Sequence, residues 1–127
     1  MYPYGPDKAE VHTLSRLQSD GSGIVHGAVV FIEFRDLDGE TCRGVGEVEL
    51  ALVVSGREPY SKRLQLDNTG ENIAVWNRAV RMYEVPFTID PPLKADSPTA
   101  VRADLKWTCG TKPVVTDSVQ LAAVPAQ

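Results

Sequence analysis

The nine residues from Phe34 to Cys42 read FRDLDGETC and place Asp36, Asp38 and Glu40 at alternate positions around Gly39. Three carboxylates so close in sequence are potential calcium ligands, since calcium takes six to eight oxygens from carboxylates, carbonyls and water. The spacing departs from the EF-hand pattern. Glycine falls at the fourth position, not the sixth, and Glu47 at the twelfth lies too far along for a loop between strands this short. A C2-type site, which gathers acidic residues from two loops at one end of a sandwich, is the nearer comparison. Asp67 and Asn68 would supply its second loop. The simpler reading is a hairpin turn. Asp-Leu-Asp-Gly offers an Asp that bonds nearby backbone and a Gly that tolerates positive φ.

Other residue types offer less. Cys42 and Cys109 match no zinc spacing, and a four-ligand site would need His12 and His26 as well. They could form one intramolecular disulfide. Trp107 stands two residues before Cys109, a partial echo of the immunoglobulin inter-sheet bridge. They could equally be two small buried hydrophobes. Ser15, His12 and Asp20 can be assembled into a triad only by selection, and no G-x-S-x-G elbow accompanies them. Gly21-Ser22-Gly23 and Gly44-Val45-Gly46 are glycine-rich, but no lysine or helix follows to hold a phosphate. Trp76, with Arg78 and Arg81 close behind, is either an end cap of the core or an exposed anchor for a partner.

These residues must be positioned by a fold that the periodicity shows to be β. In Glu47 to Val54, Val48, Leu50, Leu52 and Val54 alternate with Glu47, Glu49, Ala51 and Val53. In Val101 to Cys109, Val101, Ala103, Leu105, Trp107 and Cys109 face one way, and Arg102, Asp104, Lys106 and Thr108 the other. In Ala28 to Phe34, Val30, Ile32 and Phe34 share one face and Val29, Phe31 and Glu33 the other; Val115 to Ala123 alternates more loosely, and Glu10 to Leu17, Ser61 to Leu66 and Val80 to Ile89 are weaker strands. Turn signals separate them at SDGSG, DLDG, SGREP, DNTGEN, DPP and CGTKP. Pro86 suggests an edge or a break in its strand. One helical turn is expected around Gly70 to Trp76. The pattern predicts an all-β, two-layer antiparallel sandwich of seven or eight strands, immunoglobulin-like or C2-like.

The chain has 127 residues, 43% hydrophobic and 24% charged, with a net charge of -4, as suits one globular domain. The division expected is a flexible segment over 1–8, a sandwich over 9–124 and a tail over 125–127. An acidic balance without a Lys/Arg cluster speaks against nucleic acid as a partner. No apolar run approaches the ~20 residues of a membrane-spanning helix. MYPYGPDKAE has no apolar centre and does not read as a signal peptide.

The segments EVHTLSRLQSDGSG, GAVVFIEFRDLDGETCRGVGEVELALV and VWNRAVRMYEVPFTI, together spanning about residues 9 to 125, resemble a family of small exported, often lipoprotein-like proteins of planctomycete-type bacteria. The resemblance implies a β-sandwich in a periplasmic, cell-envelope or secreted setting. It brings no assigned activity and therefore no catalytic residues. No lipobox cysteine accompanies it, and Cys42 and Cys109 are too far along the chain to serve. A cytoplasmic setting stays open on the residues alone. The function expected is a non-enzymatic module in contact with another protein or an envelope component, without a cofactor. The alternative is a C2-like, calcium-dependent binder of membrane or ligand. Only that alternative calls for membrane contact.

Overall fold

The computed structural model describes residues 6–19, 23–94, 100–111 and 113–121. In chain order the elements are β1 (Lys8–Val11), β2 (Arg16–Ser19), β3 (Ile24–Arg35), β4 (Thr41–Cys42), β5 (Glu47–Val54), β6 (Tyr60–Gln65), α1 (Thr69–Val75), β7 (Trp76–Asn77), β8 (Met82–Lys94), β9 (Val101–Thr108) and β10 (Val115–Leu121). They build two antiparallel sheets packed face to face. One has β3 as its spine, with β1 and β2 paired along one side, β8 and then β4 along the other, and β7 beyond β8. The other sheet runs β10-β9-β5-β6.

The expected sandwich is therefore present, with ten strands among the described residues where seven or eight were expected. Two of the additions, β4 and β7, are only two residues long. The third arises because Glu10 to Leu17 is not one strand. The chain turns at His12, whose carbonyl accepts from Ser15 N at 3.0 Å and whose Nδ1 accepts from Leu14 N at 3.1 Å. The Ser15 hydroxyl then accepts from Phe31 N at 2.8 Å, taking the place of a strand neighbour between β1 and β2. Asp90-Pro91-Pro92 is likewise not a turn. β8 continues through it, and the pairing with β3 shifts there from Gly27↔Thr88 to Val25↔Leu93. Pro86 pairs with Val29, and β7 reaches β8 only at Met82 and Tyr83, so Pro86 lies where β8 is an edge.

Burial follows the alternation. β5 and β9 turn Val48, Leu50, Leu52, Val54, Val101, Ala103, Leu105 and Trp107 inward, each no more than 2% exposed. They meet Val30, Ile32 and Phe34 of β3 and Tyr83, Val85 and Phe87 of β8. At one end Phe34 meets Tyr83 and Trp107 edge-on, with ring centroids 5.6 and 5.2 Å away. Gly44 lies against Phe34 so closely that a Cβ there would stand 2.6 Å from the ring.

That end is tied by a buried amide. Asn72 on α1 donates to Gly44 O at 2.9 Å and Leu66 O at 3.0 Å, and its Oδ1 accepts from the Tyr83 hydroxyl at 2.8 Å. The same hydroxyl accepts from Gly44 N at 2.8 Å. Burial pushes the Tyr83 phenol above its ordinary pKa, so it stays a donor. Truncating one partner leaves buried groups unsatisfied, at about 1–3 kcal/mol. Tyr83→Phe is therefore expected to lower unfolding free energy by about that much in urea melts, with an unchanged m value. A loss within error of zero would show that water replaces the hydroxyl.

Candidate functional site

The carboxylate turn folds as a hairpin between β3 and β4. Asp36 is buried, and its Oδ1 accepts from Asp38 N and Glu40 N, both at 3.0 Å. Gly39 takes φ +85°, and its carbonyl accepts from the Arg35 guanidinium at 2.6 Å. Asp38 and Glu40 are exposed. The expected second loop is engaged in the same way. Asp67 Oδ1 accepts from Gly46 N at 2.9 Å, and Asn68 caps α1 by accepting from Glu71 N at 3.0 Å. Among the described residues no three His, Cys, Asp or Glu side chains converge as a cation would require. The structure thus does not bring Asp36, Asp38, Glu40, Asp67 and Asn68 together as one ligand set.

No disulfide joins Cys42 and Cys109. Cys42 and Cys109 are free, half-buried thiols packed against the core. Cys42 lies on β4 beside Phe34 in the six-stranded sheet, whereas Cys109 follows β9 in the other and backs onto Gly46. Burial, with the charge of Asp36 second, raises the Cys42 thiol pKa, which keeps it from acting as a thiolate.

Trp76, Arg78 and Arg81 lie together at the end of the sandwich that carries α1. Trp76 is half-buried. Its ring meets Tyr83 edge-on at 4.9 Å, and the Arg43 guanidinium stacks over it at 4.8 Å. Trp76 is thus both core cap and surface. Arg78 is exposed in the β7–β8 turn, where Asn77 Oδ1 accepts from Ala79 N and Val80 N at 3.0 and 3.3 Å. Arg81 adopts φ +57° and donates from Nε and a terminal nitrogen to Thr41 Oγ1 and O, both at 3.1 Å. It clamps the β7–β8 turn to β4.

The strand registers show what else shares this end. Glu47 pairs with Gln65 and Thr108, Val115 with Trp107, and Phe34 with Cys42. The last residues of β6 and β9 therefore lie beside the first of β5 and β10, and the end of β3, paired with β4, meets them through Phe34 and Trp107. Of the seven large hydrophobic side chains exposed among the described residues, Leu37, Val45, Ile73, Val80 and Val114 belong to connections or helix at this end. Leu37 is 67% and Ile73 60% exposed, which nothing in folding alone requires.

Sequence reasoning missed a second polar cluster. The β1–β3 register sets Glu10 directly opposite Glu33 on the outer face of the six-stranded sheet. Glu33 is buried, 2.7 Å from the Arg35 guanidinium and 4.0 Å from His12 Nε2. Asp117 of β10 closes the adjoining side, its Oδ2 accepting from Val11 N at 2.7 Å. A cleft of about 450 Å³ lies between them, lined also by Lys8, Val115 and Thr116. Burial first, then the hydrogen bond and charge of Glu33, raise the Glu10 carboxyl above its ordinary range, with Arg35 acting against them. Alternation alone shows that both glutamates face outward. Their juxtaposition becomes visible only with the register.

Compared with protein-family models, curated proteins and solved structures, the chain matches none. No helix among the described residues is long and apolar enough to cross a membrane. Because Asp36 already holds two backbone N–H groups, Asp36→Ala is expected to cost about 1–3 kcal/mol of stability with or without millimolar calcium. Calcium is expected to leave the wild-type thermal midpoint unchanged. A calcium-dependent rise of several degrees that Asp36→Ala abolishes would make the turn a ligand loop instead.

Proposed function

We propose that the protein is a non-enzymatic binding module that docks another protein through the α1 end of its sandwich. The observation that carries this reading is the gathering of exposed apolar side chains at that end, around a half-buried Trp76 stacked with Arg43. Protein interfaces combine an aromatic and arginine anchor with apolar neighbours and a polar rim. Asp38, Glu40, Asp67 and Glu71 supply the rim. The groups best suited to chemistry are engaged in structure. His12 Nδ1 accepts from the backbone of its own turn, Ser15 bonds Phe31, and Asp36 and Asp67 hold backbone N–H groups. The likeness to exported planctomycete-type proteins supports a periplasmic, envelope or secreted setting, with an envelope protein as the partner. The partner is not nucleic acid, on the acidic net charge of -4.

A triple variant, Leu37→Glu, Ile73→Glu and Val80→Glu, tests the reading against a control, Leu14→Glu, which lies in the turn between β1 and β2. All four sites are exposed, so each substitution is expected to change stability by about 0.5 kcal/mol or less. Proteins retained by the immobilised wild-type chain from envelope extract are identified, and the best is purified for titration. Its affinity is expected to fall by about tenfold or more for the triple variant and to hold for the control. Equal binding by all three chains, or a partner lost with Leu14→Glu alone, moves the binding face elsewhere.

A further inference from the structure

β1 is short, and it is an edge strand. Four residue pairs join it to β3, and its far side faces β10. Its outward side chains form an unusual ladder. Lys8 lies opposite Arg35 and Glu10 opposite Glu33, so like charge meets like at both positions. Cross-strand pairs of like charge weaken a sheet. The diagonal compensates in part, since Arg35 Nε lies 3.8 Å from Glu10 Oε1 and another guanidinium nitrogen lies 2.7 Å from Glu33 Oε1. One guanidinium thus serves two carboxylates. The third acid, Asp117 on β10, approaches from the other side while it holds Val11 N. β9, which also packs near β1, turns Leu105 and Trp107 inward and keeps Arg102, Asp104 and Lys106 on the opposite face.

We propose that β1 is a pH-sensitive strap: it is held against β3 when Glu10 carries a proton and loosened when Glu10 is charged opposite Glu33. A protonated Glu10 donates to the Glu33 carboxylate and removes the like-charge pair. His12 Nε2 also faces this pair, 4.0 Å from Glu33 Oε2. The raised Glu10 carboxyl agrees with this sign. A group that binds its proton more tightly folded than unfolded adds stability below its unfolded value of about 4.5, and that stability is lost as pH rises through the folded value. Loosening uncovers the backbone edge of β3 over Ile32–Arg35, an edge to which a strand of another chain can pair.

Hydrogen exchange of the intact chain tests the proposal. Protection of the Lys8–Val11 amides is followed from about pH 5 to about pH 8, corrected for the intrinsic pH dependence and referred to β5. In wild type it is expected to fall about two- to fivefold across that range. In Glu10→Gln, which keeps a hydrogen-bond donor and removes the charge, it is expected to stay at the high value throughout. The Glu10 side chain is half exposed, so this variant keeps the fold, and its unfolding midpoint confirms that. A flat wild-type profile, or a Glu10→Gln profile that follows the wild-type slope, would overturn the proposal.

Discussion

The α1 end of the sandwich depends on the buried side chain of Asn72. An amide offers two donors and two acceptor sites. Here Nδ2 reaches Gly44 O and Leu66 O, and Oδ1 receives the Tyr83 hydroxyl and, at 3.1 Å, Arg43. All four are used, so a polar group in a core position carries no desolvation debt. Hydrogen bonds in such a site are strengthened by the low dielectric around them, and the loss of one partner is correspondingly costly. The seven residues of α1 are too few to be stable as an isolated helix. The helix exists because its Asn72 is anchored in the sheet end and Asn68 caps its first turn.

The connection from β4 to β5 shows the same logic. Gly44, Val45 and Gly46 form no ladder, yet their backbone groups have partners. Gly44 N goes to Tyr83, Val45 O accepts from Trp107 Nε1 at 2.6 Å, and Gly46 N and O meet Asp67 and Leu66 N. Rings extend the constraint inward. Trp76 touches Tyr83, Tyr83 touches Phe34, and Phe34 touches Trp107 of the opposite sheet, each edge to face. An exposed end fixed in this way is preorganised, and little freedom would be lost there on binding.

What the sequence made legible was governed by local period. β5 and β9 alternate cleanly because one face of each is solvated, and their bounds follow the pattern. The outer face of that sheet shows why. Arg63 pairs with Glu47 and Glu49 at 2.7 and 3.0 Å, and Arg102 with Asp104 at 2.8 Å, all on the surface. Hydrogen bonding to Arg102 accordingly draws the Asp104 carboxyl below its ordinary range. The six-stranded sheet was harder to read because its outer face is not simply solvated. Val29, Phe31 and Met82 form a small apolar cluster there, so β3 is a nearly continuous apolar run. The break between β1 and β2 depends on a hydroxyl that meets Phe31 sixteen residues away. Asn72 and Glu33 carry no local signature either, since an Asn in a turn-rich segment and a Glu at an outward strand position are both ordinary solvent residues. Among the expected site residues, the turn role of Asp36 was local and legible. The partners of Asp67, Cys42 and Cys109 were tertiary and were not.

The two open sides of the sandwich are closed by different chemistry. Between β6 and β8, Lys62 and Arg57 donate to the carbonyls of Pro86 and Pro91, and the Tyr60 hydroxyl donates to Asp90 O at 3.1 Å. Carbonyl oxygens carry no titrating proton, so that seam keeps its acceptors at any pH the fold survives. Between β1 and β10 the acceptor is the Asp117 carboxylate, with Glu10 and Glu33 beside it. A carboxylate is the stronger acceptor of a backbone N–H, but its strength depends on charge. Its neighbours add repulsion that the single Arg35 guanidinium only partly offsets. The carboxylate acceptors thus lie along the shorter, more weakly paired edge and the neutral carbonyl acceptors along the longer one. β8, which also holds Tyr83, is joined to β6 through acceptors that carry no charge.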